Sequence, residues 1–470
     1  MTNRPSTSRV AGRASQRRGF LFLAAAMLVA GGSYLVVPSN AKPGGAHTSV
    51  PALGAPGSPS LDAIASSASG GLAPPAERVA FWERRVSAGG STPSYLNLIY
   101  LADAYLDHSR ATGALDDLKR AETALGRAET STPDPKAVQA RQALVAFSLH
   151  EWGRSLQISG DLLAKDPHNL AALGVSGDAL LETGRIDAAR ARYAILEQLV
   201  PSPAVWSRLG RVAFLTGVPE TALRLVGQAV SGAVDEGYPD AIAFYRFQLG
   251  ELDRQTGQRE QAARNYEAAL AALPDYVPAT VGLARVREAQ GRRADAIKLL
   301  QRAVARLPQP ETVAMLGDLY ALDGDTLRAE REYALVDRIG DVARATGSVY
   351  DRQLTLFAAD HDRNLADAVV RGRAELALRP DVYGYDALAW ALFKSGHLEE
   401  AAAAAHSALA LGTPDPRIAY HAGMIAAAQG RASEARTLLR RAVDGAIMLP
   451  PLQVSVARDA LAAFDTSAAR

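Results

Sequence analysis

The chain has 470 residues, a formal net charge of +1, no cysteine, and 48% hydrophobic residues against only 6% aromatics. The near-zero charge removes any global case for nucleic acid or a strongly acidic partner. The absence of cysteine rules out disulfides, thiolate metal ligands, thiol nucleophiles and lipid attachment through an N-terminal cysteine.

Residues 1–18 carry Arg4, Arg9, Arg13, Arg17 and Arg18 and no acid, and an apolar run of 18 residues follows at 20–37. As a helix that run spans about 27 Å, close to the roughly 30 Å of a hydrocarbon core. The arginines hold the N-terminus in the cytoplasm and direct the remainder outward. Residues 1–37 therefore read either as an uncleaved signal anchor or as a signal peptide cleaved near Ser39-Asn40-Ala41. The run Arg17-Arg18-Gly19-Phe20-Leu21 also resembles a twin-arginine export signal. Residues 38–75 are Pro, Gly, Ser and Ala with almost no large apolar side chain, so they read as a flexible tether.

The folded part is expected at 76–470. Val79, Trp82 and Val86 share one face of a capping helix that Gly89-Gly90 ends. Ser91-Thr92-Pro93 opens a helix over 94–108, and its partner covers 115–128. From there the chain is punctuated at a fixed interval. Leu249-Gly250, Gly257, Ala262, Tyr266 and Pro274 are followed 34 residues later by Leu283-Ala284, Gly291, Ala296, Leu300 and Pro308. The same frame places repeats at 135–167, 170–201, 203–234, the pair at 243–308, one from Pro310, and two more at 382–413 and 416–447. A longer step through Gly232 to Pro239 reads as a loop. A degenerate repeat is expected with helices at 342–359 and 365–378, and Asp360-His361-Asp362 stands where the turn glycine should be. Pro450-Pro451 precedes a second capping helix over 452–464.

Trp206-x2-Leu209-Gly210, Gly217 and Ala222 give the fullest signature. Here the chain resembles the tetratricopeptide repeat family, whose frame is W-x2-L-G-x2-Y, A-x3-F, P. Ala213 and Val226 replace two of its aromatics. The resemblance implies an all-α, right-handed superhelical solenoid of about ten helix–turn–helix repeats behind one transmembrane or signal helix. It also implies that first helices line a concave wall. On that wall the frame puts Phe247, Arg254 and Arg285 in the middle. At the C-terminal end it puts Tyr383, Asp386, Trp390, Phe393, Tyr420, His421 and Met424. Aromatic and methionine side chains concentrate at binding hot spots, so these ten are the candidate groove residues; the competing expectation is that the rings pack between repeats or against the cap.

No G-x-x-x-x-G-K-[ST], G-x-G-x-x-G, H-E-x-x-H or G-x-S-x-G occurs, and the eight histidines are scattered. Asp360-His361-Asp362 reads as a solvated loop rather than a metal site. The expectation is a non-enzymatic scaffold with no cofactor, no metal and no nucleic acid. It would contact the membrane through residues 20–37 and bind a protein or peptide in its groove outside the cytoplasmic membrane, whether inner-membrane anchored or periplasmic. The alternative is a structural subunit of a cell-envelope assembly or polysaccharide-export system.

Overall fold

Ala and Gly recur at one place per helix pair, and this spacing dictates how the helices stack. The computed structural model describes residues 75–112, 114–133, 135–346 and 351–467. The expected membrane segment at 20–37 and the tether, apart from Pro75, lie outside the described residues. Among the described residues no helix is long and apolar enough to cross a membrane.

The described chain is all-helical, with 22 α-helices and one short 3-10 turn. Helix α1 (Pro75–Ala88) buries Val79, Trp82 and Val86 against the first repeat. Ten antiparallel pairs follow: α2 (Tyr95–Thr112) with α3 (Leu115–Glu129), α4 (Pro135–Ser148) with α5 (Trp152–Lys165), α6 (Leu170–Glu182) with α7 (Ile186–Leu199), α8 (Pro203–Leu215) with α9 (Pro219–Glu236), and α10 (Pro239–Gln255) with α11 (Arg259–Ala272). The second five are α12 (Val277–Ala289) with α13 (Arg293–Arg306), α14 (Pro310–Leu322) with α15 (Thr326–Thr346), α16 (Asp351–Asp360) with α17 (Leu365–Leu378), α18 (Val382–Lys394) with α19 (Leu398–Leu409), and α20 (Pro416–Ala428) with α21 (Ala432–Asp444). The 3-10 turn Ala446–Met448 and α22 (Gln453–Ser467) close the chain.

The small residue of each first helix makes room for a side chain rather than for a bare helix crossing. A Cβ on Gly250 would lie 2.8 Å from the Tyr266 ring, and one on Gly282 of the next repeat 2.5 Å from the same ring. Tyr266 is thus clamped between two glycines 32 residues apart in sequence. The residue after such a glycine is an acid in three repeats, and it accepts the tyrosine hydroxyl. Tyr193 donates to Asp178 at 2.8 Å, Tyr266 to Glu251 at 2.5 Å and Tyr333 to Asp318 at 2.9 Å. A buried phenol needs such a partner.

Two expectations about local structure fail. The long step before Pro239 is not a loop: its residues extend α9 to Glu236 and α10 begins at Pro239, leaving only Gly237 and Tyr238 between them. Gly237 at φ 77° supplies the left-handed C-cap. Residue spacing counts the inserted residues but says nothing of their conformation, and no proline interrupts 220–238. The degenerate repeat is also divided differently. Val342 belongs to α15, a helix of 21 residues, and the following first helix is the 10-residue α16.

The superhelix returns onto itself. Arg379 of the link between α17 and α18 forms an ion pair with Glu182 at the end of α6. Thr413 Oγ1 donates to the Leu215 carbonyl at 2.6 Å, and Arg254 Nη1 donates to the Met448 sulfur at 2.6 Å. These partners are 197, 198 and 194 residues apart. One superhelical turn is therefore just under six repeats, and the second coil rests on the first. Val382, Ala408 and Ile418 of the upper coil share a core with Leu173, Leu181, Val212 and Leu215 of the lower.

Candidate partner-binding lumen

First helices line the inside of the coil, as the family resemblance implies. The space they enclose is divided into two cavities of about 510 and 210 Å3. Ser207, Arg211 and Phe214 of α8, Phe247 and Arg254 of α10, and Val281 and Arg285 of α12 face the smaller one. Glu288, Ala314, Met315, Arg352 and Leu356 face the larger. Arg285, Glu311, Arg417 and Met448 line both and mark their junction.

The middle group expected from sequence lies on this wall. Phe247 is half-buried and packs edge-on against Tyr276 with ring centres 6.0 Å apart. Arg285 Nη2 holds Glu311 at 2.7 Å. Arg254 is only 4% exposed and is paired with Glu251 at 2.5 Å. Burial would raise the Glu251 carboxyl, but the Arg254 and Arg285 guanidiniums outweigh it and hold that carboxyl below its usual value.

The C-terminal group lies elsewhere. Trp390 and Tyr420 are 3% and 2% exposed, and Phe393 and Met424 pack onto the same core beside Ala457, Leu461 and Phe464 of α22. Trp390 stacks on Phe393 at 5.3 Å and on His421 at 4.4 Å. His421 Nδ1 meets Asp386 Oδ1 at 2.9 Å with both side chains buried. Tyr383 packs in the core between the two coils and reaches the edge of the smaller cavity. The chain's own end covers this part of the wall, which repeat spacing alone does not reveal.

Asp360-His361-Asp362 is not the expected solvated loop. Trp390 Nε1 donates to Asp360 Oδ1 at 2.7 Å, and Gln453 of α22 donates to the same oxygen. Burial raises the Asp360 carboxyl, opposed by His421 and His361. His361 Nε2 lies 2.8 Å from Asp318 Oδ1 and its Nδ1 lies 2.8 Å from the Phe357 carbonyl. A carbonyl and an ionised carboxylate only accept, so this arrangement favours the doubly protonated ring. Burial would lower this imidazole, but Asp318 and the carbonyl prevail and its pKa is raised. Asp362 alone remains exposed, at φ 53°, beside Lys394 at 2.8 Å.

Most charged side chains named above on the lumen wall are paired. Arg293 is held by Glu288 at 2.8 Å, and Arg352 by Glu375 at 2.7 Å. Arg417 differs. Its guanidinium has no hydrogen-bond or ion-pair partner among the described residues, and its Nε is buried. Asp415 turns its carboxylate to cap the Arg417 backbone N–H at 2.9 Å instead of the side chain. The sequence reading missed Arg417, although it stands one helical turn before Tyr420 and His421, which it did select.

Residues 254–319 match one model of the tetratricopeptide repeat, and residues 175–238 and 387–447 match a second. The APC/C hetero-tetramer Cut9–Hcn1 is similar at 14% identity, covering 82% of this chain and 92% of that one, with a TM-score of 0.36. A tetratricopeptide repeat protein from Parabacteroides merdae is similar at 16% identity, covering 56% and 98%, with a TM-score of 0.39. The human IFIT1 dimer with PPP-AAAA is similar at 15% identity, covering 78% and 94%, with a TM-score of 0.45. No curated protein matches the chain. These structural likenesses concern the helix–turn–helix architecture alone.

Proposed function

We propose that this chain, which carries tetratricopeptide repeats, is a non-enzymatic scaffold that takes an extended segment of a partner protein into its lumen. The observation that carries this reading is Arg417, a cation without a partner where the two cavities meet. A buried or half-buried charge left unpaired is costly, and a ligand acceptor would relieve it. The wall around it is preformed by helices and paired charges, so little ordering entropy is lost when a segment enters.

The chain has no native cysteine, so single cysteines report position cleanly. A crosslinker attached at Gln353→Cys, on the lumen wall, should trap a protein in cells, and Arg417→Glu should reduce that adduct at least tenfold. Trapping only from Leu327→Cys, on the exposed outer surface, would overturn the proposal.

The location belongs to the same proposal. Five arginines ahead of an 18-residue apolar run support a solenoid held outside a bacterial inner membrane or released beyond it. A reporter fused at Pro75 and active only in the cytoplasm would remove this part. A second reading is a structural spacer in a cell-envelope assembly. It is favoured by the upper coil's seat on the lower, which stiffens the body, and it predicts partner capture indifferent to Arg417→Glu.

A further inference from the structure

The last repeat helix, α21, ends at Asp444, yet the next seven residues do not leave the molecule. Gly445 lies so close that a Cβ there would sit 2.7 Å from the Pro416 Cβ, and the chain turns inward at this point. Residues 446–451 then enter the lumen and line the larger cavity. Ile447, 7% exposed, joins a core with Ala243, Tyr266, Ala279 and Leu283 from α10, α11 and α12. Met448 packs on the same core and accepts from the otherwise buried Arg254. Leu449 adopts φ −77°, ψ 149°, an extended conformation that suits the residue before proline, and packs near Leu356 of α16. The segment Gly445-Ala446-Ile447-Met448-Leu449-Pro450-Pro451 is short and apolar, one 3-10 turn followed by extended backbone at Leu449. It lies across first helices roughly two hundred residues upstream of it.

We propose that residues 446–451 are an internal stand-in for the partner. The wall of α10 to α12 recognises a short apolar segment that presents a branched residue and then a long unbranched one in a tight turn, placed as Ile447 and Met448 are, before an extended Leu-Pro step. The partner displaces the internal copy to bind. This inference rests on the lumen reading above and supplies the chemistry of its ligand. The internal segment fills the apolar wall but leaves Arg417 without an acceptor, so a partner that adds an acid gains an interaction the stand-in lacks. A tethered occupant competes at an effective concentration in about the millimolar range, so a free peptide of equal chemistry binds the intact chain poorly.

The test uses a fluorescent peptide of the sequence of residues 445–453. Its anisotropy should show at least tenfold tighter binding to an Ile447→Ser/Met448→Ser chain than to the unaltered chain, and Arg254→Ala in that background should weaken it again. Equal affinity for both chains, or no binding to a double variant that still melts cooperatively, overturns the inference. Met448→Cys gives an independent arm with the segment otherwise unaltered. Its single thiol should react slowly with a maleimide, and saturating peptide should speed that reaction at least tenfold. Peptide binding with no change at the thiol overturns the inference. So does an Arg417-dependent lumen adduct formed while the thiol stays protected, although that outcome leaves the lumen reading standing. Peptide displacement without any lumen adduct in cells has the opposite meaning.

Discussion

At the scale of single residues, the turn position shows what the fold demands and how it manages without its preferred residue. Gly184, Gly257, Gly291, Gly324, Gly396 and Gly430 all have φ between 72° and 83° there. His150 occupies the same place at φ 61°, stacked on Trp152 at 4.9 Å. Burial, together with the Arg379 and Arg352 guanidiniums, lowers its pKa to about 3. The sign follows directly. The folded chain keeps this ring neutral while the unfolded chain protonates it near pH 6.5, so stability is lost as pH falls from about 6.5 towards 3. At pH 5 the loss attributable to His150 is about 2 kcal/mol. In His150→Asn, whose side chain tolerates the left-handed region and does not titrate, the stability difference between pH 7.5 and pH 5 should shrink by about that amount. Urea unfolding at the two pH values measures it, and an unchanged difference removes His150 as the cause. The turn itself was legible because its punctuation recurs; the neighbouring arginines were not, since both come from the other coil.

At the scale of helices, glycine has two opposite meanings that the sequence does not separate. Gly250 sits against the Tyr266 ring, whereas Gly227 of α9 has open space around the place of a Cβ. Gly250→Ala should therefore cost roughly 1–3 kcal/mol by overpacking. Gly227→Ala should stabilise the chain by about 0.5–1 kcal/mol, because alanine is the better helix former. Thermal melts of the two variants should move in opposite directions, and a shared direction would discredit the tyrosine clamp. The repeat period was readable from small residues at constant offsets. The clamp's second half was not: Gly282 touches Tyr266 across a repeat boundary, and an isolated frame treats it as one more small residue. The inner wall was readable for α8 to α14 for the same reason that it failed at α18 and α20. Position within a repeat says which face is inward, but not whether another part of the chain already lies on it.

For the molecule as a whole, the decisive feature is the contact between coils. Each repeat adds a small rotation, and only their accumulation brings residues about 195 apart together, so no local pattern announces it. Gly217 and Gly257 look alike in sequence and share φ values of 77° and 81°. Alanine at either carries the left-handed penalty of about 1–2 kcal/mol. Only at Gly217 would the new Cβ also meet the other coil, 2.9 Å from the Gly412 carbonyl oxygen, while nothing lies within 4 Å at Gly257. Small-angle scattering should show an enlarged radius of gyration for Gly217→Ala and none for Gly257→Ala. Equal radii would mean that the coils part or hold independently of this contact. An open solenoid can gain or lose a repeat anywhere, because each unit answers only to its neighbours. This one cannot do so between Arg254 and Arg379, the stretch that all three inter-coil contacts span. Duplication of a single 34-residue unit there would slide the upper coil one place along the lower, separating Arg379 from Glu182, Thr413 from Leu215 and Met448 from Arg254 in one event. The number of repeats in that interval is fixed as a set, and lineages that change the length of this protein should do so outside it.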